Sequence, residues 1–189
     1  MRQLKMYWRQ QPIEDFILPE GYAVARFGKT GDRERWLDIV YDGRDDRNPA
    51  TFDNMITHYP DVVAERDTFF IALQDEYVAT ITAVYHPAEA MGYIHMVYAK
   101  CKVRGKGIGN FMNSLALKRL AEYNCEYVYL TTDDFRKPAI KSYLRAGFLP
   151  VDYDDDMTAR WQTIIDELRI PQVDMLRDDK SYARTLYAH

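Results

Sequence analysis

With 189 residues, 47% of them hydrophobic and 14% aromatic, the chain is long enough to bury a sizeable core and reads as one domain, residues 1–189. A net charge of −4 has the wrong sign for a protein whose affinity would come from neutralising a phosphate backbone, which excludes nucleic acid as a main partner. No stretch approaches the roughly 18 consecutive apolar residues of a membrane span. Cys101 and Cys125, with no CxxC pair and no nearby histidine pair, suggest free thiols rather than a disulfide framework or a metal site.

The opening segment "MRQLKMYWRQQPIEDF" carries charge but lacks the apolar run and small-residue cleavage site of a secretory signal. It is therefore expected to be retained, and the protein to be cytoplasmic. "YAVARF" (22–27) alternates like a strand, and "DRERWLDIVY" after it places Trp36, Ile39 and Val40 at helical spacing. After the polar loop "DGRDDRNPA" (42–50), "TFDNMITHY" repeats the helical pattern with Phe52, Met55, Ile56 and Tyr59. "TFFIAL" and "YVATITAVY", rich in aromatic and β-branched residues and separated by "QDE", predict a β-hairpin. "GYIHMVYA" (92–99) is a further strand. Ile108, Phe111, Met112 and Leu115 then start a helix running to about Glu122.

"EYVYLTT" (126–132) is a strand, and the next short helix ends in "YLRAGF", where Gly147 suits the left-handed position past a helix C-terminus. A strand at 148–153 and a helix carrying Trp161, Ile164, Ile165 and Leu168 follow, with Pro171 beyond its end. No repeat or linker divides the chain. The order β, two helices, three strands, helix, strand, helix, strand, helix predicts a mixed α/β layered domain, with a core over about 20–153 and a C-terminal helix and tail over 154–189.

Residues 103–110 read "VRGKGIGN", placing Gly105, Gly107 and Gly109 between a strand and a helix. Such a junction suits an anion, because the free N–H groups of the first helical turn converge and a side chain would hold a phosphate away from them. Neither GxxxxGK[ST] nor GxGxxG is present. What is present is R-x-x-G-x-G, carried by Arg104, Gly107 and Gly109, and downstream "AIKSYLRAGF" supplies Ala139, Ile140, Tyr143, Gly147 and Phe148 as A-I-x-x-Y-x-x-x-G-F.

These two motifs resemble the acyl-CoA loop and the following helix signature of the GNAT superfamily of N-acetyltransferases, over about residues 20–153. "TDDFRKPAIKSYLRAGF" is also similar to a mycothiol-synthase-like branch. The resemblance implies a central, mostly antiparallel sheet with helices on both faces and acetyl-CoA as cosubstrate. Its diphosphate would lie on the amides of Arg104, Gly105, Lys106, Gly107, Ile108, Gly109 and Asn110, and its pantetheine arm along the backbone of Val97, Tyr98 and Ala99. It further implies direct attack by an amine of a small molecule or peptide, a backbone N–H near a strand bulge at 97–99 to meet the oxyanion, and Tyr143 as general acid. Two departures stand out. Ala99 and Cys101 replace the family's usual valine and proline, and an acidic loop and helix are expected in place of the customary final hairpin.

A departing thiolate has a conjugate acid near pKa 8.5 and a phenol titrates near 10, so proton donation from tyrosine is chemically matched. Tyr143 also shares an apolar stripe with Ile140 and Leu144 and can simply pack on Phe148. His95 has the strand parity of Val97, which leaves two roles open, a pocket-facing proton acceptor or a hydrogen-bonded core histidine. Asp133 and Asp134 fit an N-cap of the next helix, and "DYDDD" (152–156) a solvated loop. The alternative to an enzyme is a catalytically silent acyl-CoA-binding module. A homodimer is compatible with either.

Overall fold

The structure, a computed structural model, describes residues 2–189. One open sheet contains β1 (Leu4–Arg9), β2 (Tyr22–Arg26), β3 (Thr68–Leu73), β4 (Glu76–His86), β5 (Met91–Ala99), β6 (Tyr127–Thr132), β7 (Leu149–Asp152), β8 (Gln172–Arg177) and β9 (Tyr182–Tyr187). Their spatial order is β2-β3-β4-β5-β6-β1-β7-β8-β9. Only the β5–β6 and β7–β8 junctions are parallel, so the mostly antiparallel sheet expected from the resemblance is present.

Strand alternation sends side chains to two separate cores. On one face Phe69, Ile71, Ile94, Val128 and Leu130 meet α4 (Ile108–Ala121), α5 (Lys137–Arg145) and α6 (Met157–Leu168). On the other face Phe70 meets Trp36, Ile39, Phe52 and Ile56, from α1 (Asp32–Val40), α2 (Ala50–Phe52) and the turn that follows. The short α3 (Ala64–Asp67) leads into β3. Gly92 lets α4 lie close to β5: a Cβ there would meet Leu120 Cδ1 and Val128 Cγ2 at 2.9 Å.

Three segments differ from the sequence expectations. The N-terminal residues, assigned no element above, form β1 between β6 and β7, with Leu4 opposite Thr132 and Arg9 opposite Tyr127. Leu4, Met6 and Trp8 alternate into the helical core and are sealed from solvent, each such burial contributing about 1.5–3 kcal/mol. The final hairpin expected to be missing is present: β8 and β9 pair antiparallel after α6. Val173, Met175 and Leu186 bury its inner face. The helix expected over 51–59 is only α2 followed by a wide π turn, Asp53–Thr57, closed by the His58 N–H on Asp53 O at 2.7 Å.

Candidate functional site

Strands β5 and β6 pair only from Met91–Tyr93 to Tyr127–Tyr129, while β5 continues against β4 as far as Ala99. Beyond Tyr93 the two parallel strands therefore separate and leave a wedge between them. Lys100 N–H is bonded to Val78 O on β4 at 2.8 Å. Strand alternation then turns the backbone groups of Ala99 and Val97 toward the wedge. The register slips between Thr80 opposite Tyr98 and Thr82 opposite His95, and Met96 within that slip has φ of 50°. That is a bulge at Met96, just before the 97–99 stretch where the resemblance implied one, and a bulge is a device that re-aims backbone groups.

The glycine loop joins the end of β5 to α4. Val103 and Ile108 anchor its two ends in the core, whereas Arg104, Gly105, Lys106 and Gly107 are exposed. Gly107, at φ 81°, is the N-cap of α4 and offers no side-chain cap. Among the described residues, the amides of Gly105, Lys106, Gly107, Ile108, Gly109 and Asn110 take no protein acceptor; Phe111 is the next to be bonded, to Gly107 O at 3.2 Å. No heavy atom lies within 4 Å of a Cβ built at Gly105 or Gly107. The loop is thus open, and consecutive N–H groups sit at the positive end of a 14-residue helix. Arg104 is turned back instead, its Nε donating to Ala99 O at 3.0 Å. Asn110 accepts from Ser142 on α5 at 2.8 Å, and Asn113 donates to the same hydroxyl at 2.9 Å. These bonds tie the loop helix to the helix that carries Tyr143.

Helix α5 ends as expected: Gly147, at φ 90°, lets Phe148 N–H reach Tyr143 O and its own N–H reach Leu144 O, both at 3.0 Å. Tyr143 is 7% exposed and packs edge-to-face on Phe148 at 6.1 Å. Its hydroxyl has no hydrogen-bond partner among the described residues. Burial pushes the phenol up to about 12, and the nearby Arg136 charge opposes the rise. Arg136 itself, at the start of α5, lies 5.8 Å from the Tyr98 ring on β5. The N-cap role expected of Asp133 or Asp134 is not found. The cap position is Arg136, while Asp133 accepts from Arg136 Nε at 3.0 Å and Asp134 binds Arg160 of α6. The acidic loop is likewise partly paired, Asp152 with Arg184 and Asp154 with Arg2.

His95 lies on the sheet face opposite α4, 5% exposed and stacked on Tyr59 at 4.2 Å. Its Nε2 is 2.9 Å from the Met55 carbonyl, which can only accept, so Nε2 carries the proton and Nδ1 accepts from Tyr93 at 3.2 Å. Burial lowers the imidazole to about 4. Val97, Ala99 and Tyr143 thus pack into the core on the α4 face, and Ser142 ties the loop helix to α5, whereas the bulge at Met96 breaks the parity expected of His95 and Val97 and puts His95, engaged at both nitrogens, on the other face. Tyr93, Tyr59, Ser142 and Arg136 escaped the sequence reading. Only Tyr93 had a local signal, its shared parity with His95.

Residues 33–148, more than half the chain, match the model of the acetyltransferase (GNAT) family. The chain belongs to that family. Among curated relatives, a mycothiol acetyltransferase of Streptomyces scabiei (strain 87.22) is 26% identical over 163 residues, covering 78% of this chain and 48% of that protein. Another mycothiol acetyltransferase, from Streptomyces coelicolor, is 25% identical, covering 86% of this chain and 53% of its own length. The chain thus spans about half the length of the curated relatives it matches. A GCN5-related N-acetyltransferase from Sphaerobacter thermophilus shares the GNAT fold with a TM-score of 0.61 at 19% identity, over 79% of this chain and 49% of that one. No helix among the described residues is long and apolar enough to cross a membrane.

Proposed function

We propose that this GNAT chain transfers an acetyl group from acetyl-CoA to a primary amine of a small molecule or peptide by direct attack. The observation that carries the reading is the run of unbonded amides from Gly105 to Asn110 at the N-terminus of α4, the helix tied through Ser142 to the one that carries Tyr143. The donor, when bound, supplies an activated thioester; the chain supplies its placement and the proton. The loop amides would hold the diphosphate, each favoured by about 0.3–1 kcal/mol from the helix dipole alone. The Val97 and Ala99 backbone would pair with the extended arm, and an N–H at the bulge would meet the charge that develops on the carbonyl oxygen.

Tyr143 hands its hydroxyl proton to the departing sulfur. Burial keeps the phenol protonated until that moment, and Arg136 lowers the cost of the phenolate left behind. His95, at about 4, is too weak a base to deprotonate an alkyl ammonium near 10.4, so its part is to hold Tyr93 and the Met55 turn in place. The acceptor must then arrive neutral, and turnover should rise with pH toward the acceptor's own pKa. A cytoplasmic setting with free CoA fits this chemistry. The test is free-thiol release from acetyl-CoA across a panel of amines, alongside calorimetric CoA binding. Amine-dependent release supports the enzyme; tight CoA binding with no release from any amine would favour a silent binding module.

A further inference from the structure

Helix α1 ends at Val40, and two residues later the chain carries a carboxylate, Asp42, where the negative pole of the helix disfavours one. No basic residue in the last turn of α1 offsets it. Its partner comes from the donor side of the molecule: the Cys101 N–H donates to Asp42 Oδ2 at 2.7 Å. Both ends of this contact are rooted. Trp36, Ile39 and Val40 fix α1 in the second core, and Lys100 N–H is held by Val78 O of β4 at 2.8 Å. The Cys101 N–H, with the nearby charges of Lys100 and Arg104, holds the Asp42 carboxyl below the usual carboxylate range, so the acceptor stays ionised and the bond is charge-assisted.

Cys101 opens a single 3-10 turn, Cys101–Val103, that carries the chain from β5 into the glycine loop. The bonds of this turn run from Val103 N–H to Lys100 O at 3.1 Å and from Arg104 N–H to Cys101 O at 3.3 Å. The direction in which the loop leaves the strand therefore follows the Cys101 peptide. Because Lys100 N–H faces β4, strand alternation turns the Cys101 N–H to the opposite edge of β5, the edge that also carries Ala99 O. Proline, which Cys101 replaces in the resemblance, would settle such a position by carrying no N–H and locking φ near −65°. The backbone is shaped for one. Lys100, at φ −58° and ψ 146°, has the extended conformation that precedes proline, and the first residue of a 3-10 turn takes φ of about −50 to −70°. Cysteine leaves φ free and adds an N–H, and the carboxylate from the end of α1 supplies the restraint instead.

We propose that Asp42 is a positioning residue for the donor: by holding the Cys101 N–H it sets the turn that aims the loop amides at the diphosphate, the part a proline ring would play at position 101. This rests on the acetyl-CoA reading above and adds to it a residue, on the α1 side of the sheet, on which donor affinity depends. Without the bond the turn samples other directions, and the apparent affinity falls with the fraction of molecules whose loop is correctly set. The test is calorimetric CoA binding and thiol-release kinetics on wild type, Asp42→Ala, and the double variant Asp42→Ala with Cys101→Pro. Asp42→Ala should weaken CoA by about 3- to 30-fold, the range where neutral and charge-assisted hydrogen bonds meet, with KM for acetyl-CoA rising in step and kcat held within about twofold. The double variant, in which alanine clears space for the ring, should return to within about threefold of wild type. A merely structural loss at Asp42 would not be repaired by a proline 59 residues away. Unchanged CoA binding in Asp42→Ala overturns the proposal, and tighter binding does so by showing that the carboxylate only repels the diphosphate. A double variant no better than the single one overturns it as well. In each of these cases CoA binding and turnover by wild type leave acetyl transfer standing, whereas a wild type that binds no CoA removes both.

Discussion

Replacing Gly107 by alanine separates the two demands placed on the loop. The residue sits at φ 81°, where a Cβ costs about 1–2 kcal/mol. Nothing lies within 4 Å of that Cβ, so no steric clash adds to the conformational cost. For a chain of this size the loss corresponds to a fall in Tm of about 2–8 °C. Donor binding should suffer more. Hydrogen bonds to a charged group are worth about 1.5–3 kcal/mol each, and disturbing one at the loop weakens CoA by about 10- to 100-fold. Gly21→Ala is the matched control: φ is 82°, the nearest contact is an ordinary 3.7 Å to Leu73 Cδ1, and the residue precedes the edge strand β2, far from the loop in strand order. Thermal melts and CoA calorimetry on both variants decide the matter. If both lose similar stability but Gly107→Ala still binds CoA as Gly21→Ala does, the amides are not the phosphate cradle.

Tyr143→Phe should lower turnover by about 10²- to 10⁴-fold, the usual worth of a general acid, with CoA affinity nearly intact; unchanged turnover removes the acid role. His95 titrates near 4 in the folded chain against about 6.5 when exposed, so between those values the unfolded state binds more protons and stability falls as pH falls. Wild type should lose about 3 kcal/mol more than His95→Gln on going from pH 6.5 to pH 4, read from urea midpoints at the two pH values; parallel losses would show that the imidazole is not held neutral. Gly92→Ala forces a Cβ to 2.9 Å from Leu120 and Val128 and should cost about 1–3 kcal/mol by urea denaturation. A cost near zero would mean that α4 is not packed as closely on β5 as the structure has it.

The features legible beforehand are those with local causes. A helix announces itself through i, i+3, i+4 spacing, as at Ile108, Phe111 and Met112, and Gly107 and Gly147 mark backbone conformations that other residues resist. The missed strand β1 had a signal of the same kind, since Leu4, Met6 and Trp8 alternate. It was obscured because Tyr7, buried on the opposite face of the sheet, is also aromatic, so the run does not read as apolar against polar. The final hairpin was hidden by the reading of Pro171 as a helix stop alone, although Val173 and Met175 alternate immediately after it.

The amino-acid order alone determined the glycine loop, the cap at Gly147 and the helix that presents Tyr143, because each depends on residues within a few positions of one another. Only the tertiary structure decided that β1 enters the middle of the sheet and that His95 reaches the Met55 carbonyl. Those relations depend on strand register between segments far apart in the chain, where each pairing is selected by burial of the whole opposite face rather than by any local preference of the residues that meet.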